Sequence, residues 1–148
     1  MDSRFMTRAI ELARLAASQG EVPVGAVIVK DGVIIGEGHN MREQKQNALS
    51  HAETEAINAA CNHLGDWRLD GSTLYVTLEP CPMCAGAIVN ARISELVFGA
   101  YDKTMGCIDS VTSITSLPFA NTIVYGGIKE DECKRLLTDF FKGVRNDE

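Results

Sequence analysis

The sequence predicts an α/β protein, a three-layer α/β/α sandwich around one five-stranded mixed sheet. Short β-branched runs alternate along the chain with longer segments in which apolar residues recur at helical spacing. Asp31-Gly32 separates the first two of these runs, and such a pair is a strong signal for an antiparallel hairpin. The resulting order, α-β-β-α-β-α-β-loop-β-α, fills a single domain over residues 1–148 without a linker or an internal repeat.

Capping residues, turn residues and apolar periodicity define each element. The predicted helices are 3–19 (capped by Ser3, stopped by Gly20), a second helix from Ser50 to Gly65, Pro82–Asn90 and Glu130–Val144. The predicted strands are Val24–Val29, Val33–Gly36, Ser72–Leu78, Glu95–Gly99 and Ile123–Tyr125. Residues 37–49 are polar and unpatterned and are predicted to form a loop, whereas 101–121 remain unassigned.

Composition and charge argue against several classes of protein. Hydrophobic residues make up 45% and charged residues 23%, as in ordinary globular proteins, and no window approaches the roughly 20 apolar residues of a membrane span. A net charge of −6 argues against nonspecific coating of nucleic acid, but not against local basic contacts. The N-terminus does not resemble a secretory signal, so we expect a cytoplasmic protein. In that compartment five cysteines favour metal or redox chemistry over disulfides.

Two cysteines and one histidine form a candidate metal site. Cys81 and Cys84 stand three residues apart at the predicted start of a helix, so both sulfurs can reach one ion. His51, at the start of another predicted helix, would be the third ligand. Such a set leaves one coordination position open, which is typical of catalytic zinc, and we predict one Zn²⁺ per chain. The alternative, a thioredoxin-like redox pair, lacks the Trp-Cys flank and leaves His51 unexplained.

Glu53 has two interpretations. Ser50-x-x-Glu53 matches a capping box, in which the carboxylate bonds back to the Ser50 amide. The pattern H-x-E…P-C-x-x-C is also the signature of zinc nucleobase deaminases, in which the glutamate is the general acid and base. In that role Glu53 would move a proton from water to a ring nitrogen and then help ammonia to leave, completing a hydrolytic deamination.

These residues resemble those of the bacterial tRNA-specific adenosine deaminases, which belong to the cytidine deaminase superfamily and convert the wobble adenosine of an anticodon to inosine. The resemblance covers nearly the whole chain. The motifs that carry it are Glu21–Val27, Gly36–Asn40, His51-Ala52-Glu53, Leu74–Ala87, Phe98-Gly99-Ala100-x-Asp102 and Asp139–Lys142. It implies a cytidine deaminase-like fold, zinc on the His51, Cys81 and Cys84 side chains, and a homodimer that binds two anticodon arms.

The resemblance also implies substrate contacts. For the purine these are Asn40, the Ala52 backbone, Asp102 at the pocket mouth and, with a one-residue slip, Asn121. For RNA they are the end of the last helix, with Phe141, Lys142 and Arg145. Asn40 could equally be a turn residue after a strand, and Phe141 could equally be a core residue.

Residues 106–122 depart from the family pattern. Gly106-Cys107-Ile108-Asp109-Ser110 lacks the usual Gly-Ser pair, and Phe119-Ala120-Asn121-Thr122 replaces Phe-Asn-His. Three functions therefore stay open: a deaminase of tRNA wobble adenosine, a deaminase of a free base or nucleoside such as guanine or cytosine, and a catalytically inactive, zinc-stabilised partner subunit. The presence of Glu53 disfavours the third function, because a scaffold does not need a proton shuttle.

Overall fold

The structure is a computed structural model that describes residues 2–146. Its helices are α1 (Ser3–Ser18), α2 (Arg42–Lys45), α3 (Ala52–Leu64), α4 (Pro82–Asn90) and α5 (Glu130–Asn146), with a 3₁₀ turn at Ile114–Ser116. Its strands are β1 (Gly25–Lys30), β2 (Val33–His39), β3 (Ser72–Leu78), β4 (Glu95–Ala100) and β5 (Ile123–Tyr125). Within residues 2–146, no helix has both the length and the apolar character needed to cross a membrane.

The five strands form one mixed sheet, as predicted, and the strand order within it is β2-β1-β3-β4-β5. β1 pairs antiparallel with β2 and β3, whereas β3, β4 and β5 are parallel to one another. The predicted hairpin turns at Asp31 and Gly32, whose φ angles of 51° and 76° are those of a two-residue turn that matches strand twist. The crossover between the parallel strands β3 and β4 is α4, which contains the second cysteine of the candidate metal-ligand motif.

Helices cover both faces of the sheet, which confirms the three-layer prediction. α3 and α4 pack on one face, where Leu74 and Phe98 of the sheet join Ile88 of α4 in a buried cluster. α1 and α5 pack on the other face, around Ile10 and Val97. The helices that begin with candidate metal ligands therefore lie side by side on one face.

The start of α1 and the segment 37–49 differ from the prediction. α1 is capped by Asp2, whose carboxylate accepts the Arg4 amide at 3.0 Å, because Asp2 stands one residue before Ser3 and is a capping residue of the same strength. The predicted loop over residues 37–49 is also partly wrong, since β2 continues to His39 and α2 follows it. The first turn of α2 is held by a distant side chain, the carboxylate of Glu21.

α3 lies close to β2 because the two strand residues facing it are glycines. A Cβ atom on Gly36 would lie 2.7 Å from the Ala60 nitrogen, and one on Gly38 would lie 2.6 Å from the Ala56 nitrogen. Both alanines are fully buried. The position of α3, and of His51 before it, therefore depends on the absence of side chains at these two positions.

We expect Gly38→Ala to lower the free energy of unfolding by about 1–3 kcal/mol, the usual range for overpacking, because the new methyl group forces α3 away from β2. Urea unfolding followed by circular dichroism measures the change. Gly143→Ala is the matched control, because a Cβ atom there meets nothing within 4 Å. This control should be neutral or stabilising in a helix. Equal stability of Gly38→Ala and the wild type would contradict the close packing.

Candidate metal centre and active site

The three candidate ligands lie at the N-terminal ends of two neighbouring helices. His51 is the residue before α3 and Cys81 is the residue before α4, while Cys84 lies in the first turn of α4. Pro82 at the first position of α4 loses no backbone bond there, since that amide has no partner within the helix. The fold therefore brings His51 together with two cysteines that lie 30 and 33 residues further along the chain.

The distances among these side chains fit a tetrahedral metal ion. His51 Nδ1 lies 3.7 Å from Cys81 Sγ and 3.5 Å from Cys84 Sγ. Metal–sulfur bonds of about 2.3 Å and metal–nitrogen bonds of about 2.0–2.1 Å, set at the tetrahedral angle, place nitrogen and sulfur about 3.6 Å apart. The three ligand atoms all lie within 4.8 Å of one another, so the group is placed to hold a metal ion and would leave one coordination position free.

The surroundings of Cys81 favour its thiolate, which is the form that binds metals. The hydrogen bond from the Cys84 thiol, followed by the bond to His51, lowers the pKa of Cys81 to about 4 against the opposing effect of burial. The contact with Cys81 raises the pKa of Cys84 and that of His51. Protons on these groups thus stabilise the Cys81 thiolate, and a metal cation would take their place.

Glu53 lies beside the ligands. It is the second residue of α3, it is 4% exposed, and it lines the same cavity as His51 and Cys81. Burial raises the pKa of Glu53 to about 7, because a poorly solvated carboxyl group favours its neutral form. The carboxyl group is thus within reach of a reacting molecule in the cavity.

The structure overturns the capping-box interpretation of Glu53. The predicted helix start at Ser50 is wrong, because α3 begins at Ala52 and the residue before it is His51. The His51 amide donates to Thr54 Oγ1 at 3.0 Å, so Thr54 supplies the capping contact. The Ser50 amide, which a capping box would pair with Glu53, donates instead to the Asn47 carbonyl at 3.1 Å.

A cavity of about 330 Å³ opens beside these side chains. That volume is within the range of small-molecule sites and accommodates one nucleobase. Its lining surface is mostly apolar. The lining residues are Val22, Val24, Asn40, Arg42, His51, Ala52, Glu53, Leu78, Glu79, Cys81, Asp102 and Met105.

Asn40, Ala52 and Asp102, three of the predicted substrate contacts, line this cavity. Asn40 is 8% exposed and also has the structural role of a turn residue. Its amide nitrogen donates to the Val22 carbonyl at 3.3 Å, and its side-chain oxygen accepts the Arg42 amide at 3.2 Å. Asn40 thus connects two parts of the cavity wall.

The other predicted contacts lie elsewhere. Asn121 lines a different cavity, of about 730 Å³, at the C-terminal end of α4. Phe141 is 46% exposed and packs edge-on against Phe140, so it is not a core residue. Lys142 is also exposed, and the side chain of Arg145 lies outside the described residues.

Glu21 and Glu79, two carboxylates that are 1% and 2% exposed, have structural roles that the sequence does not indicate. Glu21 accepts hydrogen bonds from amides in the first turn of α2, and Glu79 accepts them from the amides of a loop beside the cavity. Burial alone would raise the pKa of Glu79, but hydrogen bonds from Ser110, Asp109 and Asp102 outweigh that effect and lower it. Both residues lie in motifs that carry the resemblance, but no periodic pattern marks a loop glutamate as buried.

Known proteins match this chain over most of its length. A family model for MafB19-like deaminases matches residues 1–145. The tRNA-specific adenosine deaminase of Bacillus subtilis (strain 168) is 47% identical over 146 residues, which cover 97% of this chain and 91% of the relative. A solved structure from a study of A-to-I editing by tRNA:A34 deaminases is 42% identical, with a TM-score of 0.89 over 92% of this chain and 100% of that one.

A solved guanine deaminase from Bacillus subtilis is also similar. It is 45% identical, with a TM-score of 0.66, over 68% of this chain and 66% of that one. The match to the tRNA:A34 deaminase structure is therefore longer and geometrically closer than this one. The chain belongs to the MafB19-like deaminase family, together with relatives that are bacterial tRNA-specific adenosine deaminases.

Proposed function

We propose that this protein is a zinc-dependent hydrolytic deaminase that converts the wobble adenosine of a tRNA anticodon to inosine and ammonia. One observation carries the proposal: three ligands with tetrahedral spacing and a buried carboxyl group converge on a cavity the size of one nucleobase. The resemblance over most of the chain to tRNA-specific adenosine deaminases supports the substrate. A base must leave its stack to enter such a cavity, which is easiest in a single-stranded loop.

His51, Cys81 and Cys84 would hold the zinc. Thiolate and imidazole ligands suit zinc, which when bound makes water a better nucleophile at neutral pH. Glu53 receives the proton that the attacking water loses and delivers it to the ring nitrogen next to C6. It then helps to protonate the departing amino group. The C6–nitrogen bond breaks, a carbon–oxygen bond to C6 forms, and one water is consumed for each ammonia released.

Substrate recognition in this proposal begins with the residues that line the cavity. Asn40, the Ala52 backbone and Asp102 contact the purine or its ribose. Asn121 is left out because it lines a different cavity. The protein is proposed to act as a cytoplasmic homodimer. The anticodon arm of the tRNA is proposed to contact Phe141 and Lys142, which are exposed on α5, and Arg145.

We expect an anticodon stem-loop with adenosine at the wobble position to be deaminated, with one ammonia released per inosine formed. The comparison substrates are the same stem-loop with adenosine moved to another loop position, and free adenine, guanine and cytosine. Mass spectrometry of digested RNA measures inosine, and a coupled assay measures ammonia. Only the stem-loop with adenosine at the wobble position should react efficiently, because catalysis requires the extruded base and the loop contacts together.

A second function would explain a reaction with a free base and none with the anticodon stem-loop. The similarity to a guanine deaminase and the net charge of −6 favour deamination of a free base as the alternative. Ammonia release from free guanine together with an inert stem-loop would overturn the RNA substrate while leaving the hydrolytic chemistry in place. An enzyme with full zinc content that is inert on every substrate would instead favour a non-catalytic subunit.

A further inference from the structure

Glu79 organises the segment 102–110, which is one wall of the active-site cavity. Its Oε1 atom accepts the Asp102 amide at 3.1 Å. Its Oε2 atom accepts the amides of Ile108, Asp109 and Ser110 at 3.2, 2.7 and 2.9 Å. The Ser110 hydroxyl donates to the same carboxylate. One carboxylate therefore receives five hydrogen bonds from a segment that lies 23 to 31 residues further along the chain.

The chain wraps closely around this carboxylate. A Cβ atom on Gly106 would collide with the carboxyl group of Glu79, so only glycine fits there. The Gly106 amide donates to the Asp102 carbonyl at 2.8 Å, and the Cys107 amide donates to the Pro80 carbonyl at 2.9 Å. Residues 102–110 thus form a compact loop around Glu79, although they contain no helix or strand.

This arrangement depends on the carboxylate. Glu79 is 2% exposed, and no ion pair within residues 2–146 includes it. A buried charge is tolerated only when hydrogen bonds replace its hydration, and here backbone amides supply them. Without Glu79, four amides of an irregular loop would lose their shared acceptor, and water would have to take its place.

The same loop faces the active-site cavity. Asp102, whose amide bonds to Glu79, and Met105, which lies between the two anchored ends, line the cavity together with His51 and Cys81. Glu53 and the candidate ligands lie at the N-terminal ends of α3 and α4, and neither helix is part of this loop. The wall that recognises the substrate is therefore held by one carboxylate, and the proton transfer is carried out by another.

We propose that Glu79 is a positioning residue for substrate recognition: it holds the loop 102–110 so that Asp102 and Met105 meet the nucleotide that enters the cavity. The proposal rests on the proposed function for the nature of that nucleotide. Glu79 is among the residues that line the cavity, but it is only 2% exposed and both of its carboxylate oxygens accept hydrogen bonds from the loop. We therefore assign it a role in holding the loop and none in the proton transfer. Its loss should weaken substrate binding and leave the chemical step nearly intact.

The test compares Glu79→Gln with the wild type by amide hydrogen exchange and by kinetics on the anticodon stem-loop. Exchange should accelerate in peptides covering 102–110 and stay unchanged in those covering α3 and α4. KM should rise about 10–100-fold, as expected when a wall moves by about 1 Å, while kcat and zinc content stay near wild-type values. Ser110→Ala, which removes one donor, should give a smaller change of the same kind. If Glu79→Gln does not fold, the exchange rates and KM of Ser110→Ala decide the test.

Glu21→Gln is the matched control, since that carboxylate is equally buried but holds α2. It should leave exchange in 102–110 unchanged. In a Glu79→Gln background, Asp102→Ala should add less to KM than it does alone, because both changes act on one wall. Unchanged exchange in 102–110, or a fall in kcat at unchanged KM, would overturn the proposal. If free guanine proves to be the substrate, the proposed function fails, but exchange and KM for guanine still decide the role of Glu79.

Discussion

Glu53→Gln is expected to reduce kcat at least about 10²–10⁴-fold, the range attributed to a general acid and base, while one zinc per chain is retained. The amide has nearly the shape of the carboxyl group, so the 4% exposed site should stay packed. It cannot accept the proton of the attacking water. Single-turnover deamination of the anticodon stem-loop and metal analysis of the same sample measure the two effects.

Glu55→Gln is the matched control for this experiment. It lies on the same helix two residues further on, and its carboxylate pairs with Lys45 at 2.9 Å, away from the cavity. Loss of a partly exposed ion pair costs little, so this variant should deaminate RNA like the wild type. A Glu53→Gln enzyme that keeps substantial turnover would remove Glu53 from the mechanism. Loss of zinc in Glu53→Gln would mean that the residue supports the metal site instead.

The group of side chains placed to bind a metal was predictable because metal binding depends on residue type and local spacing. Residues three positions apart on a helix share a face, as Cys81 and Cys84 do. His51 was the partner that completed the three-ligand group. The sheet was predictable for a similar reason, since the turn at Asp31-Gly32 defines a hairpin from two residues. What brings His51 to the cysteines is the packing of α3 beside α4, which the resemblance implied and local patterns did not.

The packing of α3 shows why periodicity alone was insufficient. Ile57, Cys61 and Leu64 form an apolar stripe on this helix, yet they are only partly buried. The fully buried face consists of small residues, Ala56 and Ala60 among them, which meet the strand glycines. Hydrophobicity scales give a face of small residues a low hydrophobicity, so they do not identify it as the buried face. Close approach, rather than side-chain size, determines which face of α3 packs on the sheet.

The cavity walls were the least predictable part, because long-range hydrogen bonds hold them. Residues 101–121 could not be assigned, and the structure shows mainly turns ordered around Glu79. α2 was missed for the same reason, since its first amides bond to Glu21, more than 20 residues earlier. Both carboxylates bond to amides that are distant along the chain, so a window of neighbouring residues cannot reveal these contacts.

Cys84→Ser should reduce zinc from about one per chain to a small fraction and lower deamination at least about 10³-fold, since bound metal supplies several kcal/mol of transition-state stabilisation. Cys84 is fully buried, and serine conserves its size but is a poor zinc ligand. The variant should also melt about 5–10 °C lower. Metal present at 100 times its dissociation constant stabilises the fold by about 2.7 kcal/mol, and each kcal/mol is worth about 2–4 °C at this size.

Chelation of the wild-type protein should reproduce both losses, and added zinc should reverse them, because the ligands remain in place. Cys61→Ser is the matched control: Cys61 is a partly exposed thiol on α3 outside the ligand group, and its loss should change neither zinc content nor activity. Calorimetry with and without zinc separates the metal's contribution from that of packing. The melting temperature of Cys84→Ser should not respond to zinc, whereas that of Cys61→Ser should. A Cys84→Ser protein that binds zinc and deaminates RNA normally would show that the metal lies elsewhere.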